Sequence, residues 1–178
     1  MEKFLVCFFL LAVIVVLEVH ATRESYQQQQ KNGRRKLFVF GDSYVDTGNT
    51  PKFLANSWKE PYGITFPGKP SGRFSDGHIL TDYIASFLGI GSPLPYQSWK
   101  SGGKSIQDGI NFAHGGSGVF NTIYFQPNMT TQIDYFQQAI KQKIYSKQDL
   151  NSSIALVSLA GNDYATYLSQ NGTLLVSG

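Results

Sequence analysis

Three short apolar runs, each closed by glycine and polar residues, constrain this chain more than any other feature. Leu37-Phe38-Val39-Phe40 leads into Gly41-Asp42-Ser43, Gly109-Ile110-Asn111-Phe112-Ala113 into Gly115-Gly116-Ser117-Gly118, and Ile154 to Leu159 into Gly161-Asn162-Asp163. A continuous apolar run of this length suits a strand buried on both faces, as in a parallel sheet. Helical periods lie between the runs. Ile79, Leu80, Tyr83, Ile84, Phe87 and Leu88 share helical spacing that stops at Gly89. The spacing over Thr130 to Tyr145 predicts a helix capped by Thr130 or Thr131, with Ile133, Phe136, Ile140 and Ile144 on one face. A further helix is expected from near Tyr164. Gly48 to Gly77, rich in Gly, Pro and Asn, reads as an extended loop facing the site. Strands alternating with helices indicate an α/β fold with a mostly parallel sheet.

In such a sheet the carboxyl ends of the strands form one edge, and ligands bind there. Clusters far apart in sequence then meet in space. Ser43 follows a strand and a tight Gly-Asp turn, so its hydroxyl can stand clear of the backbone. A serine hydroxyl becomes a useful nucleophile when a neighbouring base removes its proton. Attack on an ester places negative charge on the carbonyl oxygen, and each preorganised donor aimed at that charge is worth about 3 kcal/mol. The candidate donors are the Ser43 N–H, the Gly116 N–H and the Asn162 amide. The same residues also suit a plainer arrangement in which Ser43 and Asn162 cap helices and the glycines form a turn.

Apolar residues make up 42% of the chain, enough for a core, and Lys and Arg are scattered around a net charge of only +3, which argues against a nucleic-acid partner. Residues 1–21 read as an export signal. Lys3 precedes an apolar run from Phe4 to Leu17, shorter than the ~20 residues of a spanning helix, and Val19-His20-Ala21 offers a cleavage site. No stable membrane span is expected. Residues 22–35, with four consecutive glutamines, read as a flexible leader. The single cysteine, Cys7, lies in the signal, so no internal disulfide is expected after cleavage. Asn128, Asn151 and Asn171 open glycosylation sequons, which fit a secreted, extracellular or cell-wall protein. Two signals are set aside. Gly102-Gly103-Lys104-Ser105 lacks the first glycine of a phosphate loop because Ser98 stands there, and Gly115-Gly116-Ser117-Gly118 is too generic for a dinucleotide site. No spaced His or Cys cluster suggests a metal.

Phe38 to Asn49 (FVFGDSYVDTGN) resembles the first block of the plant GDSL esterase/lipase family, within the SGNH hydrolases. Gly72-Arg73-Phe74-Ser75-Asp76-Gly77 is similar to a further segment of that family, with His78 where arginine is usual. Gly109 to Gly116 is similar to the second block and Ser158 to Asp163 to the third. The resemblance covers residues 36–178. It implies a flavodoxin-like three-layer α/β/α sandwich, here about its first three strands, and hydrolysis of carboxylic or lipid esters without metal or cofactor. It makes Ser43 the nucleophile, with its own N–H, Gly116 (preferred over Gly115) and Asn162 as the oxyanion donors. Gly41-Asp42-Ser43-Tyr44-Val45 is not the elbow of α/β-hydrolases, because Val45 replaces the second glycine.

By the same resemblance the general base is a histidine in a late D-x-x-H block, and no such block occurs here: Ser75 stands three residues before His78, and Asn111 before His114. The histidine and aspartate of the triad are therefore expected to be absent. His114 is expected as a partly exposed loop residue and His78 at a surface helix start. The competing expectation is a non-catalytic chain that binds an ester ligand or a partner without turnover. The family strand order, 2-1-3-4-5, would leave Ile154 to Leu159 as an unpaired apolar edge, so poor solubility or inactivity is expected of the chain alone.

Overall fold

The computed structural model describes residues 35–103 and 105–172, together with Glu18. Apart from Glu18 and Arg35, the expected signal and leader lie outside the described residues. The fold belongs to the second of the two units into which the chain divides, Arg35–Gly178.

A fully buried strand, β1 (Leu37–Gly41), runs through the middle of the sheet. It pairs in parallel with β3 (Ile110–Asn111) on one side and with β4 (Ile154–Ser158) on the other, in register from Leu37 opposite Ile154 to Gly41 opposite Ser158. A two-residue strand, β2 (Leu94–Pro95), lies outside β3, so the order is β2-β3-β1-β4. The expected three strands thus take their expected order, and a fourth short strand joins them.

Alternation along β1 sorts the core into two chemistries. Leu37 and Val39 face an aliphatic cluster with Val45, Ala113 and the Ala85 and Leu88 side of helix α1 (Leu80–Phe87). Phe38 and Phe40 face an aromatic cluster with Tyr96, Ile110 and Phe112, covered by α3 (Met129–Lys141). Tyr96 opens the short helix α2 (Tyr96–Lys100). Phe40 stacks on Phe112 at 5.3 Å and Phe38 meets Phe136 at 4.9 Å. Helices on both faces make the three-layer sandwich.

The apolar runs form, but several face differently from the expectation. β4 takes the unpaired edge expected of Ile154 to Leu159, pairing only with β1 among the described residues, and the burial its apolar composition suggested is not met: Ile154 is 41% and Val157 55% exposed. In α1, Leu80, Tyr83 and Phe87 are exposed, while Thr81 and Asp82 turn inward. Polar bonds set that rotation: the Thr81 hydroxyl donates to the Val45 carbonyl at 2.7 Å, and Asp82 binds Arg73. α3 begins earlier and ends earlier than its periodicity suggests. Asn128, not a threonine, caps it by accepting the Thr131 N–H at 3.0 Å, and Ile133 lies partly exposed while Gln132 and Ala139 are buried. Helix α4 (Lys147–Asn151) has a capping box of Ser146 and Asp149. The last described helix, α5 (Gly161–Ser169), starts directly at the third cluster rather than near Tyr164. No described helix is long and apolar enough to cross a membrane.

Candidate functional site

The chain leaves β1 through a turn that Asp42 organises. The Asp42 N–H extends the ladder to the Ser158 carbonyl at 3.1 Å, and its own carbonyl accepts the N–H groups of Val45 and Asp46. Its carboxylate accepts the Tyr44 N–H at 3.0 Å. Burial pushes the Asp42 carboxyl above its usual range and the nearby Asp163 charge adds to this, against backbone hydrogen bonds from Tyr44 and Ala160. Ser43 stands at the corner, half-buried, and caps no helix. Gly41 admits no side chain here: an added Cβ would sit 2.3 Å from the Ser158 carbonyl and 2.4 Å from Val45. Gln132 fixes the same strand end from α3, its amide oxygen accepting the Gly41 N–H at 2.8 Å and its amide nitrogen donating to the Gly41 carbonyl at 3.0 Å.

A buried carboxylate then ties the first cluster to the second. One oxygen of Asp46 accepts the N–H groups of Gly48 and Asn49, and the other accepts the Thr50 N–H, the Thr50 hydroxyl and the Gly115 N–H. Asn49 donates to the carbonyls of Asn111 and Ala113, both at 2.8 Å, and Asn111 donates to Val45 and Thr47. Because Gly115 spends its N–H on Asp46 and Thr50, that group is unavailable to a ligand. No acceptor among the described residues takes the Gly116 N–H. Gly116 has φ +87°, and an added Cβ would meet Tyr124 at 2.8 Å, so its bare backbone is required by both conformation and space.

Asn162 comes in from the first turn of α5. Its amide nitrogen donates to the Ser117 carbonyl at 2.8 Å, which fixes which end of the amide is nitrogen and leaves its second hydrogen free. The neighbouring Asp163 carboxylate accepts the N–H groups of Val119 and Phe120 at 2.9 and 3.0 Å, pinning the loop after Gly116 to this helix.

Ser43, Gly116 and Asn162 line one cavity of about 430 Å³, with Thr50, Ser57, Tyr62, Phe74 and Tyr124 among its walls. A second cavity of about 600 Å³ opens on the other side of Ser43, lined by Tyr44, Phe74, His78, Leu80 and Ser158. Phe74, from the Gly72–Gly77 loop, and Tyr62 line both cavities. The Phe74 ring lies where a Gly115 side chain would be, 2.3 Å from its Cβ position. Arg73 holds the loop down with two bonds to Asp82, each 3.1 Å. Burial alone would raise the Asp82 carboxyl, but the Arg73 guanidinium and the Ser92 hydroxyl outweigh it and leave Asp82 below its ordinary value. A depressed folded-state pKa stabilises the fold above the unfolded value, near 3.9, and that contribution disappears as pH falls through the folded value. Asp82→Asn is therefore expected to flatten the loss of stability below about pH 4. Urea midpoints against pH measure this, and an acid limb unchanged by the substitution would contradict it.

The two described histidines differ. His114 is buried rather than partly exposed, and its Nδ1 is bonded to the Phe112 carbonyl at 2.9 Å. Burial pushes its imidazole below the usual value, against the pull of Asp46 and the Phe112 carbonyl. His78 is exposed just before α1, stacked on Phe66 at 3.8 Å. Neither hydrogen-bonds to Ser43. Among the described residues no group of three or more His, Cys, Asp or Glu could hold a metal.

The roles of Asp46, Asn49, Asn111 and Gln132 were missed by the sequence reading. A polar residue at Asn111, inside an apolar strand, was the available signal for a buried network. For Gln132 there was none, since it sits on a helix that reads as ordinary and amphipathic.

The model of the GDSL-like lipase/acylhydrolase family matches residues 37–175. Two GDSL esterases/lipases of Arabidopsis thaliana are similar to the chain. One is 60% identical over 76% of this chain and 38% of its own length, the other 59% identical over 82% and 43%. Acetylajmalan esterase 2 of Rauvolfia serpentina is 35% identical over 74% of this chain and 41% of its own. The chain spans about two fifths of the length of these relatives.

Proposed function

We propose that this chain, which belongs to the GDSL-like lipase/acylhydrolase family, supplies the nucleophile and oxyanion donors for hydrolysis of carboxylic esters. The observation that carries this reading is the convergence of Ser43, Gly116 and Asn162 on one cavity from three strand ends. An ester carbonyl oxygen placed among the N–H groups of Ser43 and Gly116 and the free Asn162 hydrogen meets donors that strengthen as it becomes an oxyanion. The Ser43 Oγ bonds to the carbonyl carbon as the C=O electron pair moves onto oxygen and the serine proton passes to a base from solution; collapse of the oxyanion expels the alcohol, which takes up a proton. Water then releases the acid from the Ser43 ester by the same steps. Hydrolysis of p-nitrophenyl butyrate should exceed that of the Ser43→Ala variant, and equal rates would count against turnover by this chain.

A second reading is favoured by one specific observation: neither described histidine hydrogen-bonds to Ser43. On it, the chain binds esters without turning them over. Ligand binding that depends on Ser43, with no turnover, is its signature.

Export is part of the proposal, supported by the signal-like sequence of residues 1–21. Asn151 and Asn171 are exposed and accessible to a glycan, whereas the half-buried Asn128 bonds to Asn121 at 2.8 Å and caps α3. Glycosidase treatment of the exported chain should shift its mass through Asn151 or Asn171. An unshifted mass would contradict glycosylation.

A further inference from the structure

In the core, aromatic rings pair with one another. Phe40 and Phe112 stack, Phe136 meets both edge-on, and Tyr96 stacks on Tyr135 at 4.3 Å. Three rings beside the nucleophile do not. Tyr44, Tyr62 and Phe74 have no ring partner among the described residues, and all three line the cavity of about 600 Å³ that Ser43 also lines. A fourth ring, His78, is held at the same cavity by its stack on Phe66 at 3.8 Å. The His78 ring nitrogens and the Tyr44 and Tyr62 hydroxyls have no hydrogen-bond partner among the described residues. None of these side chains is buried, so each is accessible to a ligand.

Because Ser43 lines both cavities, an ester whose carbonyl sits at Ser43 extends one limb into each. The volume of the larger one lies within the range of pockets that enclose small organic ligands. Rings in contact gain more than their buried area alone supplies, through offset or edge-to-face packing. Resting on the ester-hydrolase reading, we propose that the larger cavity takes an aromatic ester limb bearing a ring hydroxyl, the ring packed against Tyr44, Tyr62 and Phe74 and the hydroxyl bonded to His78. The preferred substrate is thus an ester of a phenolic acid or phenolic alcohol. An alkyl chain also packs on such walls, but it forfeits both the ring contacts and the hydrogen bond.

The test follows binding of hydrolysis products to the full chain by NMR titration. The acyl-limb series is 3-cyclohexylpropanoate, 3-phenylpropanoate and 3-(4-hydroxyphenyl)propanoate. The alcohol-limb series is 2-cyclohexylethanol, 2-phenylethanol and 2-(4-hydroxyphenyl)ethanol. In one series the phenyl member should bind about fivefold more tightly than the cyclohexyl member, and the hydroxyl should add about fivefold more. Tyr44 and His78 line this cavity and not the smaller one, so their substitutions assign the effect to it. Tyr44→Leu should lower the phenyl preference by at least about twofold. His78→Phe, which keeps a ring against Phe66, should erase the hydroxyl preference, with urea midpoints as the check on folding. The proposal is overturned if phenyl and cyclohexyl members bind alike in both series, if the hydroxyl adds nothing, or if neither substitution changes a preference. Binding of butylboronic acid at Ser43 separates the two levels of the claim. A wild-type adduct without these preferences defeats this inference alone, and absence of the adduct defeats the ester-site reading as well.

Discussion

Asp46→Ala is expected to lower the unfolding free energy by about 3–5 kcal/mol, the scale seen when one side of a buried charged contact is removed. The carboxylate is completely buried and accepts from four backbone N–H groups and one hydroxyl, spread over Gly48, Asn49, Thr50 and Gly115. Each donor stranded without an acceptor costs about 1–3 kcal/mol, and local relaxation recovers part of it. Against a domain stability of about 5–15 kcal/mol, that loss brings the fold close to its limit. Asp46→Asn is the milder companion, because its one oxygen still serves some donors while its NH2 group opposes others. Urea midpoints at constant slope measure both. A shift of under about 1 kcal/mol for alanine, the range of ordinary surface changes or little more, would contradict the hub.

The second large effect falls on rate. Removing one oxyanion donor costs about 10²–10³-fold, and that is the expected loss for Asn162→Ala in the rate at which p-nitrophenyl butyrate acylates Ser43. The amide is held by Ser117 with one hydrogen directed elsewhere, so it is preorganised before the charge develops. Asn162→Asp should be at least as damaging, since a carboxylate would face both the Ser117 carbonyl and the nascent oxyanion. Intact-mass kinetics would show this, with urea midpoints as the control for folding. A rate within about twofold of wild type would remove Asn162 from the proposed role.

These two residues show what the sequence makes legible. Asn162 follows a strand, sits beside a glycine and belongs to a recognisable block, so both its position and its chemistry are local signals. Asp46 is part of an equally recognisable block, yet its work depends on Gly115, far along the chain. Strand existence was readable from apolar runs, since every residue of β1 is buried. Which faces would be covered was not. β4 has the composition of a buried strand yet is exposed at the edge that the strand order predicted, and α1 buries Thr81 and Asp82 in preference to Leu80 and Phe87 because polar contacts to Val45 and Arg73, outside the helix, fix its rotation. Periodicity counts apolar residues and carries no information about such partners. Gly116 was favoured over Gly115 by resemblance alone; that the Gly115 N–H is occupied by Asp46 and Thr50 depends on partners far along the chain.

The oxyanion geometry proposed around Ser43 can be tested without turnover, because a boronic acid accepts the serine oxygen and becomes a tetrahedral anion as the serine proton passes to solvent. Boron-11 NMR of the wild-type chain with butylboronic acid should show one tetrahedral adduct per chain. Ser43→Ala should show none, and Asn162→Ala should bind at least about tenfold more weakly, the equivalent of one lost hydrogen bond to a charge. An adduct of equal strength in Ser43→Ala would contradict the central claim.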